Sequence, residues 1–342
     1  MEEILKKLNQ DIKDIFQYNI ETTNAYVVPT RNDNTLTFPI GAVKQGKLLK
    51  TCVLMVDIRN STKISRQLRN DKVKLGKIYS AFIYAMADIA DDYGYVRNII
   101  GDRIMVVFEP DKCFENAINC AALMYTVGMK ILKQYVAMDE FKIGIGIEFG
   151  EMLVLKTGII KKHEELSEYK NLVWIGDAAN IASKLCDYAN KSISIPTYKV
   201  RYETIKTERV LKTTSANNLR FGLPLLYHSY FTEPEYEFKN VTEINTVDLN
   251  VEEFARKILV TSGTFHFEDK KVKDFIFENQ IKTPPPILIS GKVYDEFKKS
   301  NPKSPYLSRL STQFFPDKPY TGGTGVYGGF LIVPEISKIK IG

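Results

Sequence analysis

The stretch VLMVDIRNST, from Val53 to Thr62, joins four apolar residues to one carboxylate and then to a run of polar residues. The apolar part predicts a buried strand, and the polar run predicts a turn into a helix. A carboxylate at the end of a buried strand needs a partner, because an unpaired buried charge costs free energy. We therefore expect Asp57 to hold a charged group.

Length and composition are those of an ordinary folded protein. The chain has 342 residues, of which 44% are hydrophobic and 26% are charged, so we expect two domains or one domain with a large insertion. The formal charge of +6 suits a polyanionic small molecule as well as a nucleic acid. Charge alone does not choose between these ligands.

The cysteines and the N-terminus indicate the compartment. The four cysteines form no C-x-x-C pair and the histidines lie far apart, which argues against a zinc site and favours reduced thiols. The N-terminal stretch MEEILKKLNQDIKDIF predicts an amphipathic helix rather than a signal peptide. With no long apolar run, we expect a cytoplasmic protein without a membrane partner.

The order of predicted elements indicates the fold class. After the strand at 49–56 we expect a helix over 64–93, a hairpin about Gly101-Asp102, and a second helix over 113–136. FKIGIGIEFGEMLVLKTG predicts two strands about a Gly150-Glu151 turn, and NLVWIGDAANIASKLCDY predicts a strand, a turn and a helix. This order is the split βαβ arrangement of ferredoxin-like α+β folds.

The domain boundaries depend on which C-terminal segment supplies the last strand and helix of the core. The strand and helix that close such a core have two candidates, ISIPTYKVRYE after residue 190 and ILISGKVYDEFK from Ile287. We prefer the second, because its strand follows prolines and suits an interior position in the sheet. We then expect an N-terminal helix and lead-in over 1–48, a core over 49–190, an insertion over 191–282, and a closing part or accessory region over 283–342.

Two carboxylates are expected to converge. Asp102 lies at the hairpin turn, and in the split βαβ order that turn and the end of the first strand share one sheet edge. Converging aspartates repel each other and favour a divalent cation, and a magnesium pair on a triphosphate suits them. Arg59 or Arg103 can add positive charge on the leaving diphosphate. The alternative is that Asp57 caps a helix and Asp102 serves only the turn.

Three blocks together resemble a known family. VDIRNST, IIGDRIMVVF and WIGDAANIASKL are similar, in order and spacing, to the signature blocks of class III nucleotide cyclases, over about residues 49–188. The resemblance implies that Asp57, Asp102 and Ile58 hold two Mg²⁺ or Mn²⁺ ions. It also implies that Asn180 and Lys184 act from the partner subunit, so that a homodimer has its sites at the interface.

Two departures from the family concern the substrate. Lysine stands at position 184, where arginine is usual, and a point charge replaces a bidentate fork. Asn98 and Val173 stand where ATP-using members carry lysine and aspartate, so the purine reader is missing. The substrate contacts that we expect are Arg59, Asn60, Ser61, Thr62, Asn98, Arg103 and Val173.

The lead-in VPTRNDNTLTF and the GDR form of the second block resemble the pyrimidine cyclases of Pycsar bacterial anti-phage systems. That resemblance implies UTP or CTP as the substrate and a downstream effector that binds the cyclic nucleotide. The alternatives are a catalytically silent, nucleotide-binding cyclase-like module and a purine nucleotide cyclase. A polymerase-like enzyme is disfavoured, because clustered basic and aromatic residues are missing, and no nucleic-acid partner is expected.

Overall fold

The computed structural model describes residues 1–17, 19–39, 43–158, 170–211, 236–313 and 325–333. The chain divides into two compact units. Unit 1 comprises residues 1–192 together with 283–342, and unit 2 comprises residues 193–282. Among the described helices, none combines the length and the apolarity that crossing a bilayer requires.

The described part of the chain contains both helices and strands. The helices are α1 (Glu2–Gln17), α2 (Ser61–Gln67), α3 (Lys72–Tyr93), α4 (Cys113–Val127), α5 (Lys133–Val136), α6 (Asp177–Tyr188), α7 (Val251–Lys257) and α8 (Gly291–Ser300). A π-helical turn (Gly128–Leu132) joins α4 to α5, and a 3₁₀ turn (Leu307–Arg309) follows α8.

The described strands fall into one sheet in each unit. Those of unit 1 are β1 (Glu21–Ala25), β2 (Gln45–Arg59), β3 (Tyr95–Ile100), β4 (Arg103–Val107), β5 (Lys142–Gly158), β6 (Lys170–Ile175), β12 (Ile287–Ser290), β13 (Leu310–Gln313) and β14 (Val326–Gly329). Those of unit 2 are β7 (Ile193–Leu211), β8 (Tyr236–Asn250), β9 (Ile258–Thr261), β10 (Thr264–Phe267) and β11 (Lys270–Lys282).

The sheet of unit 1 is built around β2. Its order is β13-β14-β12-β5-β2-β4-β3, with β1 beside β2 and β6 beside β5. β2 is antiparallel to β5 along its length and to β4 over its second half, where Val56 faces Ile104. The strand that carries Asp57 is therefore interior, and the hairpin that carries Asp102 is its direct neighbour. This architecture confirms the expected α+β, ferredoxin-like class.

Alternation along β2 sends its side chains to two different cores. Cys52, Leu54, Val56 and Ile58 are buried with apolar residues of α3, α4 and α8. Val53 and Met55 are buried on the other face with Ala178, Ala182 and Cys186 of α6. Asp57 continues the second series and faces the α6 side.

The predicted turn at Gly150-Glu151 is wrong. β5 runs unbroken from Lys142 to Gly158, because β2 pairs with it continuously, with Thr51 opposite Gly150 and Lys50 opposite Glu151. Glycine has no side chain to clash with a helix, and Gly150 lies 3.4 Å from Ala178 of α6 as measured from an added Cβ. An added Cβ at this distance would make ordinary contact, so Gly150 is simply one residue of a continuous strand.

The predicted single helix over 64–93 is two helices. α2 ends at Gln67 and α3 begins at Lys72. The side chain of Asp71 accepts a hydrogen bond from the backbone N–H of Lys74 at 2.9 Å, which caps the start of α3. Capping of a new helix thus outweighs continuation of the apolar period.

The chain leaves unit 1 after Ser192 and returns at Thr283, and the two ends meet. The hydroxyls of Ser192 and Thr283 are 3.0 Å apart, and the backbone N–H of Asn190 donates to the carbonyl of Pro285 at 3.1 Å. β12 then adds parallel to β5, with Ile287 opposite Ile145. Residues after 282 therefore complete the sheet that carries the aspartates.

Unit 2 is a five-stranded antiparallel sheet, in the order β8-β7-β11-β10-β9, with the helix α7. Its long hairpin pairs Thr197 with Asn250 at one end and Leu211 with Tyr236 at the other. Asn250 and Glu253 form a capping box that starts α7. That this unit is an insertion stays a prediction.

Candidate active site

Asp57 and Asp102 meet at one edge of the unit 1 sheet. Asp57 lies two residues before the end of β2, and Asp102 lies in the tight turn between β3 and β4, where Gly101 has a φ of 62°. A positive φ favours glycine, so the turn holds Asp102 in a fixed place. Both carboxyl groups line one cavity, and the charge of Asp57 acts on Asp102.

The environment of Asp102 disfavours its ionised form. Burial and then the charge of Asp57 raise the pKa of Asp102 to about 6, while a hydrogen bond with Ser61 acts in the opposite direction. One carboxyl oxygen of Asp102, Oδ2, is buried without a hydrogen-bond partner among the described residues. A buried acceptor without a donor is costly, so this oxygen is poised to receive one.

Two arginines contact Asp57, and both contact the same oxygen. Arg103 donates to Oδ2 from Nε at 3.2 Å and from Nη2 at 2.6 Å. The Nη2 atom of Arg59 lies 3.1 Å from this oxygen. Hydrogen bonds of this kind, between a guanidinium and a carboxylate, are charge-assisted.

Arg103 also contacts α6. Its Nη1 donates to the hydroxyl of Ser183 at 2.9 Å, and its Nη2 donates to the carboxylate of Asp187. Ser183 and Asp187 are four residues apart and share one face of the helix. A single guanidinium therefore joins the Asp57 carboxylate to α6.

A cavity of about 450 Å³ opens beside the two carboxylates. Its lining combines charged groups at the sheet edge with apolar and polar side chains from the sheet and α6: Met55, Asp57, Asn98, Ile100, Asp102, Arg103, Met105 and Ser183. A volume of this size suits a small organic ligand.

The residues that follow Asp57 do not all reach this cavity. Arg59 is buried at 7% exposure and donates to the carbonyl of Asp187 at 3.1 Å and to the thiol of Cys186 at 3.6 Å. Its guanidinium packs inside the protein, which leaves the expected role on phosphate to Arg103. Asn60 adopts the left-handed conformation with a φ of 58° and precedes α2.

The other expected site residues that follow Asp57 are Ile58, Ser61 and Thr62. Ser61 lowers the pKa of Asp102 through its side chain, against the larger effect of burial, whereas Thr62 is exposed to solvent. Ile58 is buried in the core on the opposite face of the sheet, so its side chain is directed away from Asp57. Any contribution of Ile58 to a cation therefore comes from its backbone.

A β-bulge positions Asn98. Val96 is opposite Val106 and Asn98 is opposite Met105, so Arg97 is the extra residue in β3. A bulge redirects the side chains that follow it, and Asn98 lines the cavity beside Met105. Simple alternation from the sequence does not anticipate this.

Three expected site residues from β6 and α6 also lie outside the cavity. Val173 of β6 is 40% exposed, opposite Leu155 in β5. Asn180 and Lys184 are exposed on α6. None of the three belongs to the described residues that line the cavity next to Asp57.

Sequence reasoning missed Ser183 and Asp187. Both contact Arg103, and both lie on the helical face of Asn180 and Lys184, since positions 180, 183, 184 and 187 fall within one stripe of a 3.6-residue period. That periodicity was the available signal. The partner, Arg103, was not deducible, because it comes from another motif.

The carboxylate pair fits a divalent cation. Asp57 and Asp102 offer hard oxygen ligands to one cavity, and Oδ2 of Asp102 is a buried acceptor without a donor among the described residues. The described residues contain no cluster of three or more histidine, cysteine or acidic side chains. Mg²⁺ commonly binds one or two carboxylates together with substrate phosphates and water, so two carboxylates are sufficient.

Comparison with known proteins agrees with this geometry. The family described as adenylate and guanylate cyclase catalytic domain matches residues 43–215. A uridylate cyclase of Gulbenkiania mobilis is 28% identical over 201 residues, covering 56% of this chain and 72% of that protein. A cytidylate cyclase of Staphylococcus aureus is 37% identical over 232 residues, covering 58% of this chain and 53% of that protein.

Among solved structures, the adenylyl cyclase CyaB from P. aeruginosa is similar at 24% identity and a TM-score of 0.36, covering 42% of this chain and 73% of that one. The family match spans half of the chain and includes all three motifs with their aspartates. The chain therefore belongs to the adenylate and guanylate cyclase catalytic domain family, the class III nucleotide cyclases.

Proposed function

We propose that this protein is a pyrimidine nucleotide cyclase that converts UTP, or else CTP, to the 3′,5′-cyclic monophosphate and diphosphate. The observation that carries the proposal is the convergence of Asp57 and Asp102 on one open cavity. The uridylate and cytidylate cyclases among its relatives support the choice of pyrimidines.

Different residues of the chain are expected to bind the metal ions, the ribose and the phosphates. Two Mg²⁺ or Mn²⁺ ions, when bound, lower the pKa of the ribose 3′-hydroxyl and neutralise phosphate charge. Asp57 and Asp102 would hold these ions. The 3′-hydroxyl gives its proton to water, and its oxygen attacks the α-phosphorus to expel diphosphate. Such a displacement depends on positioning and charge more than on covalent catalysis.

Arg103 and the α6 pair complete the site. Arg103 lies against the cavity, where its planar guanidinium suits phosphate oxygens. Asn180 orients the ribose, and Lys184 meets the charge that develops on the α-phosphate. Both are exposed and lie outside the cavity of their own chain, which supports their use by a second copy.

A homodimer with two symmetric sites follows from that division. A mixing experiment tests it with Asp57→Ala and Lys184→Ala, each of which is expected to be inactive alone. Mixed chains form one site with neither defect, so part of the activity should return. Persistent inactivity of mixtures that do form dimers would contradict shared sites.

The base is read at Asn98. Its amide offers both a donor and an acceptor, and it lines the cavity beside Met55 and Met105. A pyrimidine presents one donor and acceptor edge to such an amide, and the methionines offer adaptable apolar packing. We place UTP before CTP, and we propose that the cyclic product acts as an anti-phage messenger for a downstream effector.

Product identification tests the proposal directly. Purified protein is incubated with each of the four nucleoside triphosphates and Mn²⁺, and the products are separated by chromatography and mass spectrometry. We expect cyclic UMP or cyclic CMP, and no product from Asp57→Asn or Asp102→Asn. Cyclic AMP or cyclic GMP as the sole product would refute the pyrimidine assignment.

A silent nucleotide-binding module is the second candidate. Lysine at position 184 and two arginines on the Asp57 carboxylate are features that favour it. Metal-dependent release of diphosphate separates the two candidates, since a binding module releases none.

A further inference from the structure

Arg103 makes contacts in two directions. Toward the sheet it binds Oδ2 of Asp57 through two nitrogens, at 2.6 and 3.2 Å. Toward α6 it binds Ser183 at 2.9 Å and Asp187. Its backbone directly follows Asp102, so it is fixed beside the carboxylate pair.

We propose that Arg103 competes with the divalent cation for Asp57 and, once displaced, transfers its guanidinium to a phosphate of the nucleotide. This inference rests on the proposed function, since it gives the Arg103 guanidinium one partner in the empty site, Asp57, and another when nucleotide is bound, a phosphate. Arg103 then sets the threshold for cation binding in the absence of nucleotide and adds affinity for nucleotide afterwards.

Competition follows from where the contacts fall. The guanidinium contacts to Asp57 are all made to Oδ2. A cation that takes this oxygen must replace at least one charge-assisted hydrogen bond, and such bonds are among the stronger ones in proteins. It must also overcome repulsion from a positive charge within hydrogen-bonding distance of its ligand.

Of the two arginines, Arg103 is the one free to move. Arg59 is 8% exposed at its side chain and is held by the backbone carbonyl of Asp187 and the thiol of Cys186. The side chain of Arg103 is 29% exposed and lines the cavity. Displacement of Arg103 needs a side-chain rotation, whereas displacement of Arg59 would open the core.

The contacts to α6 determine where the displaced guanidinium goes. Ser183 and Asp187 hold Nη1 and Nη2 and retain the side chain near the cavity after Asp57 is lost. A guanidinium presents five N–H donors in one plane, so it can keep a helix contact and still donate to phosphate oxygens. The triphosphate brings the negative charge that Asp57 no longer supplies.

Direct binding of Mn²⁺ without nucleotide tests the first claim, that Arg103 competes with the cation for Asp57. Wild type, Arg103→Gln and Arg66→Gln are titrated with Mn²⁺ and free ion is measured by electron paramagnetic resonance. Arg66 is an exposed residue of α2, so its variant removes one nearby charge without any contact to Asp57. Because a hydrogen bond to a charged group is lost, we expect Arg103→Gln to bind Mn²⁺ about tenfold more tightly, and Arg66→Gln to change by less than about twofold.

Nucleotide binding tests the second claim, that the displaced Arg103 binds a phosphate. Here the same substitution should lower the affinity instead of raising it. At saturating Mn²⁺, the non-cleavable analogue α,β-methylene-UTP should bind Arg103→Gln about tenfold more weakly than wild type. Tighter cation binding combined with weaker nucleotide binding is a signature that general loss of structure does not produce. Arg103→Lys keeps the charge and loses the fork, so it should lie between wild type and Arg103→Gln in both titrations.

The outcomes are separable. Unchanged or weaker Mn²⁺ binding by Arg103→Gln overturns the inference, as does equal weakening of both ligands. If Arg103→Gln fails to fold by circular dichroism, Arg103→Lys decides in the same way. Absence of Mn²⁺ binding by both the wild type and Arg103→Gln, or binding that survives Asp57→Asn and Asp102→Asn, would instead refute the proposed metal site and hence the proposed function.

Discussion

Gly146→Ala is the substitution by which the packing of α6 can be tested most directly. Gly146 lies in β5, between Met55 of β2 and Leu288 of β12. A Cβ atom added here would overlap the carbonyl oxygen of Ala182 and the backbone nitrogen of Cys186, and would lie 2.9 Å from the carbonyl carbon of Leu185. All of these are backbone atoms of α6, so no side-chain rotation relieves the overlap.

The expected cost follows from that geometry. The helix must move by about 1 Å to restore ordinary contact distances, and overpacking of this kind costs about 3 kcal/mol. For a chain of 342 residues, that corresponds to a fall in melting temperature of about 4 °C. Because α6 carries Ser183 and Asp187, the contacts of Arg103 should loosen too, and the proposed cyclase activity should fall more than stability alone explains.

Thermal and urea denaturation measure the effect, and Gly76→Ala is the matched control. Gly76 lies within α3, and an added Cβ meets no atom within 4 Å. Alanine is the better helix former, so this control should stabilise the protein by about 1 kcal/mol. If Gly146→Ala unfolds at the same urea concentration as wild type, the close approach of α6 to the sheet is not as described, and the reasoning fails.

Three further predictions concern stability, and urea denaturation measures each. Burial raises the pKa of Glu148, against a hydrogen bond from Ser290. The ionised form of Glu148 therefore weakens folding as pH rises above the ordinary glutamate pKa. The free energy of unfolding of Glu148→Gln should exceed that of the wild type by on the order of 1 kcal/mol at pH 7.5 and should equal it at pH 4. A gain of equal size at both values would contradict this. Asp71→Ala removes the cap of α3 and should cost about 1 kcal/mol, whereas no loss would mean that the cap is not formed. Leu54→Ala opens a cavity at a fully buried position and should cost about 2–5 kcal/mol, and a loss below about 1 kcal/mol would argue against tight packing there.

The approach of the two aspartates was predictable because it depends on strand order alone. A carboxylate that ends a central strand and one in the neighbouring hairpin turn must share an edge, whatever the side chains do around them. The confirmed ferredoxin-like class gives this order, with β4 directly beside β2. The catalytic roles of the residues stay predictions.

The features that were missed depend on contacts between distant segments. Gly150 reads locally as a turn residue, and only the pairing with β2 keeps β5 straight. The bulge at Arg97 redirects Asn98 through its partner strand. Arg103 contacts Ser183 and Asp187 from another motif. A pattern within one segment of sequence does not predict a contact between two distant segments.

The late position of β12 has a consequence for synthesis and for cloning. Ile145–Ile147 of β5 pairs with Ile287–Ile289, which the ribosome delivers only after residues 193–282, a delay of roughly 5 to 20 s at bacterial or eukaryotic elongation rates. During that time an apolar strand edge is unprotected, and such edges template aggregation. A fragment that stops at Ser192 keeps all three motifs yet leaves this edge open permanently, so it should precipitate on expression where the longer chain does not.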